Sequence, residues 1–263
     1  MGILNVTPDS FSDGGTYATE AAACARVDEL LAEGADVIDV GGESTRPGST
    51  RVPPAEQRRR VEPAIRHAHA CGAMVSVDTT SREVAAAALD VGASIVNDVS
   101  CLADPELASI AASRSAALII MHSRGSMEKM AGFSAVPENA YPDPALEVSL
   151  ELAAARDRAV RAGLSADMVL VDPGLGFHKS ARHSYAVMKG LASLVGLGAP
   201  VVIGASRKSF LSRDVDAPAT SRIGGSIAAC LAGARAGAVV LRVHDVLATR
   251  QALAVEAAIE GGG

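Results

Sequence analysis

Carboxylate and amide side chains recur in this chain directly after short apolar runs. Asp78 follows AMVSV, Asn97 follows SIV and Asp172 follows DMVLV, and each run has the composition of a buried strand. A carboxylate accepts two parallel hydrogen bonds, whereas an amide both donates and accepts. Together with Met121 and Phe177 as apolar walls, such a set suits a flat heterocycle that carries several N–H donors.

Basic side chains follow other apolar runs and indicate a second kind of chemistry. Arg46, Lys208, Arg242 and His244 would form a cationic rim on a chain whose formal net charge is −6. A local cluster of this kind favours an anion, and phosphate in particular, because α/β barrels commonly bind phosphate after their last two strands. The alternative is that these groups form structural ion pairs with the carboxylates, since ion-pair networks also gather charge.

The first fifteen residues, MGILNVTPDSFSDGG, combine a strand with a polar loop. Residues 2–6 are an apolar run that ends near Asn5, and Pro8 keeps the following loop from becoming helix. Asp9 and Asp13 lie in that loop. Polar groups at the carboxyl end of a strand are typical of metal and substrate sites in α/β enzymes, although a solvated turn would have the same composition.

Eight elements of each type must position these side chains. We predict strands at 2–6, 36–41, 73–78, 94–98, 117–121, 167–172, 199–204 and 238–243. We predict helices near 18–33, 54–71, 81–91, 105–114, 144–162, 181–196, 223–236 and 246–259. Glycines fall just after six of the helices, in the C-cap position: Gly34, Gly72, Gly92, Gly163, Gly198 and Gly237.

Eight strand–helix units in 263 residues predict an α/β fold, a (β/α)8 TIM barrel formed by the whole chain, 1–263, as a single domain. An open doubly wound sheet is the alternative, but it usually has fewer strands and a Gly-rich first turn. The barrel would bring all the polar strand ends to one face. The irregular stretch 123–143 is expected to be a lid or site wall, and the tail 260–263 is expected to be disordered.

Composition excludes some classes of function. The negative net charge argues against a nucleic-acid partner. The chain opens without a signal peptide and contains no apolar run of about 18 residues, so no membrane contact and a cytoplasmic location are expected. The four cysteines form no CxxC pair and show no histidine spacing suited to zinc, and Cys24 and Cys230 are expected to be packing residues.

Seven segments together resemble the dihydropteroate synthase family. They are Gly2–Gly15, Asp39-Val-Gly-Gly-Glu-Ser-Thr-Arg-Pro-Gly48, Ser76-Val-Asp-Thr79, Val96-Asn-Asp-Val99, Asp172-Pro-Gly-Leu-Gly-Phe177, Gly204-Ala-Ser-Arg-Lys-Ser209 and Arg242-Val-His-Asp245. The resemblance implies a (β/α)8 enzyme of folate synthesis that acts as a homodimer with Mg²⁺. The enzyme would join 6-hydroxymethyl-7,8-dihydropterin pyrophosphate to 4-aminobenzoate, and sulfonamides would inhibit it.

The resemblance also implies a role for individual residues. The pterin would be bound by Asp78, Asn97, Asp172, Lys208, Met121 and Phe177. The pyrophosphate would be bound by Asn5, Thr45, Arg46, Arg242 and His244, with Asn5 as the Mg²⁺ ligand. The 4-aminobenzoate pocket would be formed by Phe11, Pro47, Arg207 and Ser209. Catalysis would depend on Asp13, Lys208, Arg242 and His244, with Asp13 stabilising an electron-poor pterin intermediate.

One departure from the family and two alternative functions follow from the same residues. Family members usually carry residues ahead of the first strand, so a thin barrel floor or a late start is expected here. A pterin-binding methyltransferase that acts on a corrinoid would share the Asp78, Asn97 and Asp172 pocket, but it would have no use for the basic anion site. A non-catalytic pterin-binding homologue is the third possibility, and the presence of Asn5 and Lys208 argues against it.

Overall fold

A computed structural model describes residues 1–6, 20–44, 49–125 and 136–261 of the chain, and eight parallel strands alternate with helices along them. The strands are β1 (Gly2–Asn5), β2 (Val37–Gly41), β3 (Met74–Asp78), β4 (Ile95–Asp98), β5 (Ala117–Met121), β6 (Val169–Asp172), β7 (Val202–Ile203) and β8 (Val240–Leu241). The helices are α1 (Glu20–Ala32), α2 (Pro54–Ala70), α3 (Arg82–Asp90), α4 (Glu106–Ser113), α5 (Pro144–Arg161), α6 (Ala181–Lys189), α7 (Leu191–Val195), α8 (Ile223–Arg235) and α9 (Val246–Ile259).

The strands close into a barrel. β1 to β6 pair in chain order, and β7 pairs with β8. Two isolated bridges join these sheets, between Val171 and Val201 on one side and between Gly2 and Val243 on the other. The amide of Ile3 donates to the carbonyl of Val243 over 2.9 Å, which ties the first strand to the last. The predicted (β/α)8 barrel is therefore confirmed, and the open sheet is excluded.

Small aliphatic side chains fill the space between the strands and the surrounding helices. Outward-facing strand residues such as Val40, Val77 and Ile120 are fully buried. Alanines on the helices, including Ala64 and Ala88, are equally buried against them. Strands buried on both faces are expected in a parallel sheet covered by helices. This close packing explains how a core can form in a chain with only 3% aromatic residues.

Glycines determine several element boundaries. All six predicted C-cap glycines have positive φ, from 70° at Gly198 to 117° at Gly92. The prediction of one helix at 181–196 was wrong in one respect, because the observed helix divides at Gly190 into α6 and α7. A Cβ at Gly190 would lie 2.4 Å from the Cβ of Ala145 on α5. The sequence pattern could not show this close approach between two helices.

Strand register brings the polar residues to one end of the barrel. Asn5 pairs with Gly41, Gly41 with Asp78, and Asp78 with Asn97, so these four positions form one row across β1 to β4. Met121 pairs with Asp172 across β5 and β6. The predicted common face at the carboxyl ends of the strands is therefore present.

The opposite end of the barrel is apolar. Ile95, Ile119 and Val202 form a buried cluster inside the barrel, separate from the main core. Met1 packs against this cluster, and Met74 at the start of β3 is 53% exposed. The carboxylates near the barrel mouth therefore lie above an apolar layer.

Two expectations concern segments that the structure covers only in part. Residues 126–135 of the expected lid at 123–143 and the last two residues of the tail lie outside the described residues. Glu138–Ala140 form a short 3-10 turn ahead of α5. No helix within the described ranges is long and apolar enough to cross a membrane.

Candidate functional site

Arg242 lies between two carboxylates at the centre of the barrel mouth. Its Nε donates to Asp39 Oδ2 over 2.6 Å, and its Nη2 donates to Asp78 Oδ2 over 2.7 Å. The amide of Asn97 donates to the same Asp39 oxygen over 3.2 Å. Asp39 is fully buried in the middle of β2, where it contacts side chains from β4 and the end of β8. This arrangement fixes Asp78 and Asn97 at the rim of the pocket.

Asp172 and Lys208 form the second half of the mouth. One Asp172 oxygen accepts the amide of Gly174 over 2.7 Å, and the Lys208 ammonium donates to the Leu175 carbonyl over 2.7 Å. Gly174 has φ of 63°, and a Cβ there would lie 2.0 Å from the carbonyl oxygen of His122. Only glycine allows the loop after β6 to bend this closely over β5.

An apolar wall completes the pocket. Val99, Met121 and Phe177 form a buried cluster of their own, apart from the main core. The Lys208 ammonium lies 4.4 Å from the centroid of the Phe177 ring, in the geometry of a cation–π contact. We refer to Asp39, Asp78, Asp172, Lys208 and Arg242 as the pocket cluster.

Burial shifts the pKa values of Asp78, Asp172 and Lys208 towards neutrality. Burial raises the pKa of Asp78 to about 7, although Arg242 opposes the shift. Burial also raises the pKa of Asp172, against the effect of Lys208. The pKa of Lys208 falls to about 8 for the same reason, with Asp172 opposing. Perturbed groups of both signs within one cleft are typical of a functional site.

The rim residues beyond β7 and β8 have structural partners. The ring of His244 lies 3.0 Å from Ser206 Oγ through its Nδ1. Arg207 has φ of 59° and makes a two-point contact with Asp245, at 3.0 and 2.6 Å. Ser209 begins a short 3-10 turn, and its Oγ is buried without a hydrogen-bond partner among the described residues. An unpaired buried hydroxyl is a candidate contact for a ligand.

Several predicted site residues cannot be placed. They are Phe11, Asp13, Thr45, Arg46 and Pro47, all of which lie outside the described residues. The roles predicted for them stay predictions. Asn5, by contrast, is described and ends β1 beside Gly41. If Gly41 carried a side chain, its Cβ would lie 3.3 Å from Asn5 Oδ1 and 3.5 Å from Asp78 Cβ. The glycine leaves the Asn5 carboxamide and Asp78 close to one another.

A second network of charges lies behind the pocket, and the sequence analysis did not identify it. Lys179 is fully buried. Its ammonium donates to the carbonyls of Gly174 and Phe177, each over 3.1 Å, and lies 2.8 Å from His122 Nδ1. His122 Nε2 is in turn 2.9 Å from Glu151 on α5. This network therefore ties the loop of the apolar wall to β5 and α5.

Arg124 completes this network. It contacts Glu151 and donates to Glu147 over 2.7 Å. Burial, followed by the charge of Lys179, lowers the pKa of His122 to about 3. The ring is therefore neutral and accepts from Lys179 at Nδ1, which leaves Nε2–H to donate to Glu151. We refer to His122, Arg124, Glu147, Glu151 and Lys179 as the supporting cluster.

Two signals in the sequence could have revealed the residues that were missed. Asp39 is a charged residue inside the apolar strand VIDVG, and an inward-facing carboxylate there must find a buried partner. Lys179 follows the Asp172–Phe177 motif by only two residues. The partners of both residues are distant in the chain, because Asp39 contacts Arg242 and Lys179 contacts His122.

The geometry supports one kind of ligand. Acceptors and an amide surround a slot beside an apolar wall, and cationic groups border it on the side of β7 and β8. Carboxylates can pair with N–H donors of a flat ring, and the cations can neutralise an anion attached to that ring. The sequence-based expectation of a heterocycle with an anionic group is consistent with this arrangement.

Comparisons with known proteins agree with the motifs. A family model described as pterin binding enzyme matches residues 1–244. The chain is similar to the dihydropteroate synthase of Mycobacterium leprae, with 42% identity over 97% of this chain and 91% of that relative.

Two solved structures are similar over nearly the whole chain. One is the Xanthomonas albilineans dihydropteroate synthase with 4-aminobenzoic acid, with a TM-score of 0.91, 42% identity and coverage of 99% of this chain and 92% of that one. The other is the Yersinia pestis dihydropteroate synthase in a sulfonamide drug complex, with a TM-score of 0.91, 35% identity and coverage of 99% and 93%.

Proposed function

From the premise that this chain belongs to the pterin-binding enzyme family, we infer that it catalyses the dihydropteroate synthase reaction. It joins 6-hydroxymethyl-7,8-dihydropterin pyrophosphate to 4-aminobenzoate and releases pyrophosphate and 7,8-dihydropteroate. The activity makes it a transferase of folate synthesis. The synthase name of a relative 42% identical over 97% of the chain favours this reaction over a corrinoid methyltransferase or a non-catalytic homologue.

The observation that carries the assignment of the site is that Asp78, Asn97 and Asp172 lie at the carboxyl ends of their strands, beside the buried apolar cluster that contains Met121 and Phe177. In our proposal these three residues hydrogen-bond the pterin ring, and Met121 and Phe177 contact its faces. Lys208 donates to an acceptor on the ring, since its ammonium already lies 4.4 Å above Phe177. When a pterin binds, the buried carboxylates of the protein would accept hydrogen bonds from its N–H groups in place of water.

The chemistry consists of breaking the bond between the pterin methylene carbon and the pyrophosphate oxygen, followed by attack of the amine. The ring nitrogens stabilise the carbon cation, and Asp13 adds negative charge beside it. Arg242 and His244 neutralise the departing pyrophosphate, as cationic groups do where charge develops. The aromatic amine is neutral at pH 7, so no strong base is required. The Asp13 role comes from the family resemblance.

We propose Mg²⁺ as the cofactor, with Asn5 as its protein ligand. Mg²⁺ prefers oxygen ligands and usually binds through one or two protein groups together with substrate phosphates. The carboxamide of Asn5 supplies such an oxygen at the end of β1. Asp39 Oδ1 is buried nearby in the barrel without a hydrogen-bond partner among the described residues. When bound, the ion would neutralise pyrophosphate charge.

The aminobenzoate site is proposed at the outer end of the mouth. Ser209, with its unpaired buried hydroxyl, would contact the second substrate together with Arg207, Phe11 and Pro47. The first and second loops, which contain Phe11, Thr45, Arg46 and Pro47, would close over the reacting atoms and exclude water. Sulfonamides would then compete with 4-aminobenzoate for this pocket.

The test is synthase activity measured by pyrophosphate release. We expect release that depends on pterin pyrophosphate, 4-aminobenzoate and Mg²⁺, and that falls by at least about 100-fold in Lys208→Ala. Lys189→Ala, an exposed lysine at the end of α6, is the matched control and should retain full activity. Release from wild type no faster than from Lys208→Ala would overturn the assignment.

We also propose that the enzyme is a homodimer that pairs through α8 and α9. A cavity of about 400 Å³ lies between these helices, lined by Ile227, Leu231, Val255 and Ile259 among others. Val255 and Ile259 are 54% and 79% exposed, which is unusual for adjacent large apolar side chains. Val255→Glu should give a monomer in sedimentation experiments, whereas Leu150→Glu on the exposed face of α5 should not.

We place the enzyme in the cytoplasm. All four cysteines are free thiols in the structure, which is the state that a reducing compartment maintains. The small-molecule substrates of the reaction need no membrane or nucleic-acid partner. Fractionation of cells that express the protein would test this location.

A further inference from the structure

One group of metal-binding side chains lies on the outside of the barrel, on α1 and α2. Asp28, His67 and Cys71 each offer one ligand atom, and within the described part of the chain these atoms lie within 4.8 Å of one another. His67 Nε2 is 2.7 Å from Asp28 Oδ1 and 3.9 Å from Cys71 Sγ. The sequence-based expectations included no zinc site at these residues.

The helices explain why these three side chains meet. His67 and Cys71 are four residues apart at the end of α2, so they lie on the same face one turn apart. Asp28 faces them from α1, the neighbouring helix. A short-range sequence pattern could show only the His67–Cys71 half of the group. Asp28 and Cys71 are exposed and His67 is half-buried, so an ion can reach all three from solvent.

The three ligand atoms lie within a few tenths of an ångström of the spacing that a tetrahedral ion requires. With Zn–N of about 2.0–2.1 Å and Zn–S of about 2.3 Å, the nitrogen and sulfur of a zinc site lie about 3.6 Å apart, and nitrogen and oxygen about 3.3 Å apart. The distances here are 3.9 and 2.7 Å. A movement of about 0.6 Å by the exposed Asp28 carboxylate would bring the nitrogen–oxygen distance into range, and a movement of about 0.3 Å by the exposed Cys71 side chain would do the same for the nitrogen–sulfur distance.

The three donors also select the metal. A thiolate and an imidazole exclude the hard ions Mg²⁺ and Ca²⁺, which take oxygen ligands, and favour Zn²⁺. We propose that Asp28, His67 and Cys71 bind one Zn²⁺ ion, with water in the fourth position. The ion would link α1 to α2 at the outer surface, separate from the mouth of the barrel.

Cys24 provides a matched control for this site. It lies on α1 one turn before Asp28. Its sulfur is not among the ligand atoms that lie within 4.8 Å of one another in this group. This thiol is therefore near the group but outside the proposed set of ligands. Its replacement by serine should leave the metal affinity unchanged.

The test uses the whole protein, reduced and stripped of metal. Titration with Zn²⁺ against a chromophoric chelator should give one ion per chain. Co²⁺ in place of Zn²⁺ should give a tetrahedral visible spectrum with a sulfur-to-cobalt charge-transfer band. Cys71→Ser should remove this band, and His67→Gln and Asp28→Asn should each weaken Zn²⁺ binding by at least about tenfold. Cys24→Ser should match wild type.

Three results would overturn the proposal. The first is a wild-type protein that does not bind one Zn²⁺ ion per chain. The second is a cobalt spectrum without a sulfur-to-cobalt band, and the third is an equal loss of Zn²⁺ affinity in Cys24→Ser and Cys71→Ser. Pyrophosphate release should be the same in all four variants, because none of these residues lies in the catalytic machinery. Failure of the zinc site would therefore leave the proposed reaction untouched, and failure of the reaction would leave the zinc site untouched.

Discussion

The pocket cluster and the supporting cluster are two groups of charges that meet the same loop, residues 172–179, from opposite sides. Each contains a lysine whose pKa is lowered by burial, to about 8 for Lys208 and to about 7 for Lys179. They differ in what surrounds the ammonium. Lys208 is half-buried and lies over Phe177 at the pocket wall, whereas Lys179 is enclosed by two backbone carbonyls and the ring of His122.

This difference separates two uses of a buried charge. An ammonium with one side open can meet a ligand, so Lys208 can act in binding and catalysis. An ammonium whose donors all have protein partners can only hold those partners in place. The supporting cluster therefore determines the shape of the loop, and the pocket cluster determines what that loop recognises.

The largest effect is expected from Arg242→Met, which removes the cation of the pocket cluster. Asp39 and Asp78 would be left buried with no cationic partner, and breaking a buried pair in this way costs about 3–5 kcal/mol of stability. Denaturant unfolding measures this loss. Pyrophosphate release should fall by at least about 100-fold at the same time.

A double variant separates the two consequences of losing Arg242. Adding Asp39→Asn to Arg242→Met removes one of the unpaired charges, so it should restore part of the stability while activity stays low. A loss below about 1 kcal/mol in the single variant would show that the carboxylates are neutral without Arg242. In that case Asp39 and Asp78 would be held by hydrogen bonds rather than by pairing of charges.

A smaller and more selective effect is expected from Lys179→Met. The carbonyls of Gly174 and Phe177 would lose their donor, and the loop that carries Phe177 would shift. KM for pterin pyrophosphate should rise about tenfold, equal to about 1.4 kcal/mol, while kcat and the KM for 4-aminobenzoate change little. Steady-state kinetics in both substrates measures the split.

Lys189→Met controls for removal of an exposed lysine from the adjoining helix α6 and should match wild type. A fall in kcat of Lys179→Met without a change in KM would mean that Lys179 affects only the fraction of folded enzyme. The contrast between the two clusters would then be one of stability alone.

The smallest effect is a change with pH, which identifies the lysine that meets substrate. The pKa of Lys208 is about 8, so its charge is present below pH 8 and is lost as the pH rises through that value. The pH dependence of kcat/KM reports the pKa values of groups in the free enzyme. We therefore expect kcat/KM to fall on the alkaline side with a midpoint near pH 8. A midpoint near 7 would instead point to Lys179 or Asp78, whose pKa values are both about 7.

Lys208→Arg tests this assignment, because a guanidinium stays protonated throughout the range. The variant should keep a reduced activity that no longer falls near pH 8. If the alkaline limb of the pH profile is unchanged in Lys208→Arg, a group other than Lys208 is responsible for it.

Much of the fold and part of the site could be predicted from the sequence. Strand positions follow from apolar runs, and residues that end those runs, such as Asp78, Asn97 and Asp172, must share one face of the barrel. Asp39 and Lys179 were missed because their partners are distant in sequence, and the Zn²⁺ group was missed because Asp28 comes from another helix. The break at Gly190 depends on its contact with Ala145, which no local pattern encodes.

The bond between Asp39 and Arg242 has a consequence for the newly made chain. These residues are 203 positions apart, so at about 5–20 residues per second the ribosome needs about 10–40 s to deliver the second after the first. During that interval β1 to β6 can pair in order, but the carboxylate of Asp39 at their centre has no cationic partner. The last strand then both closes the barrel and neutralises its interior, so a nascent chain stalled before Arg242 would be a substrate for chaperones.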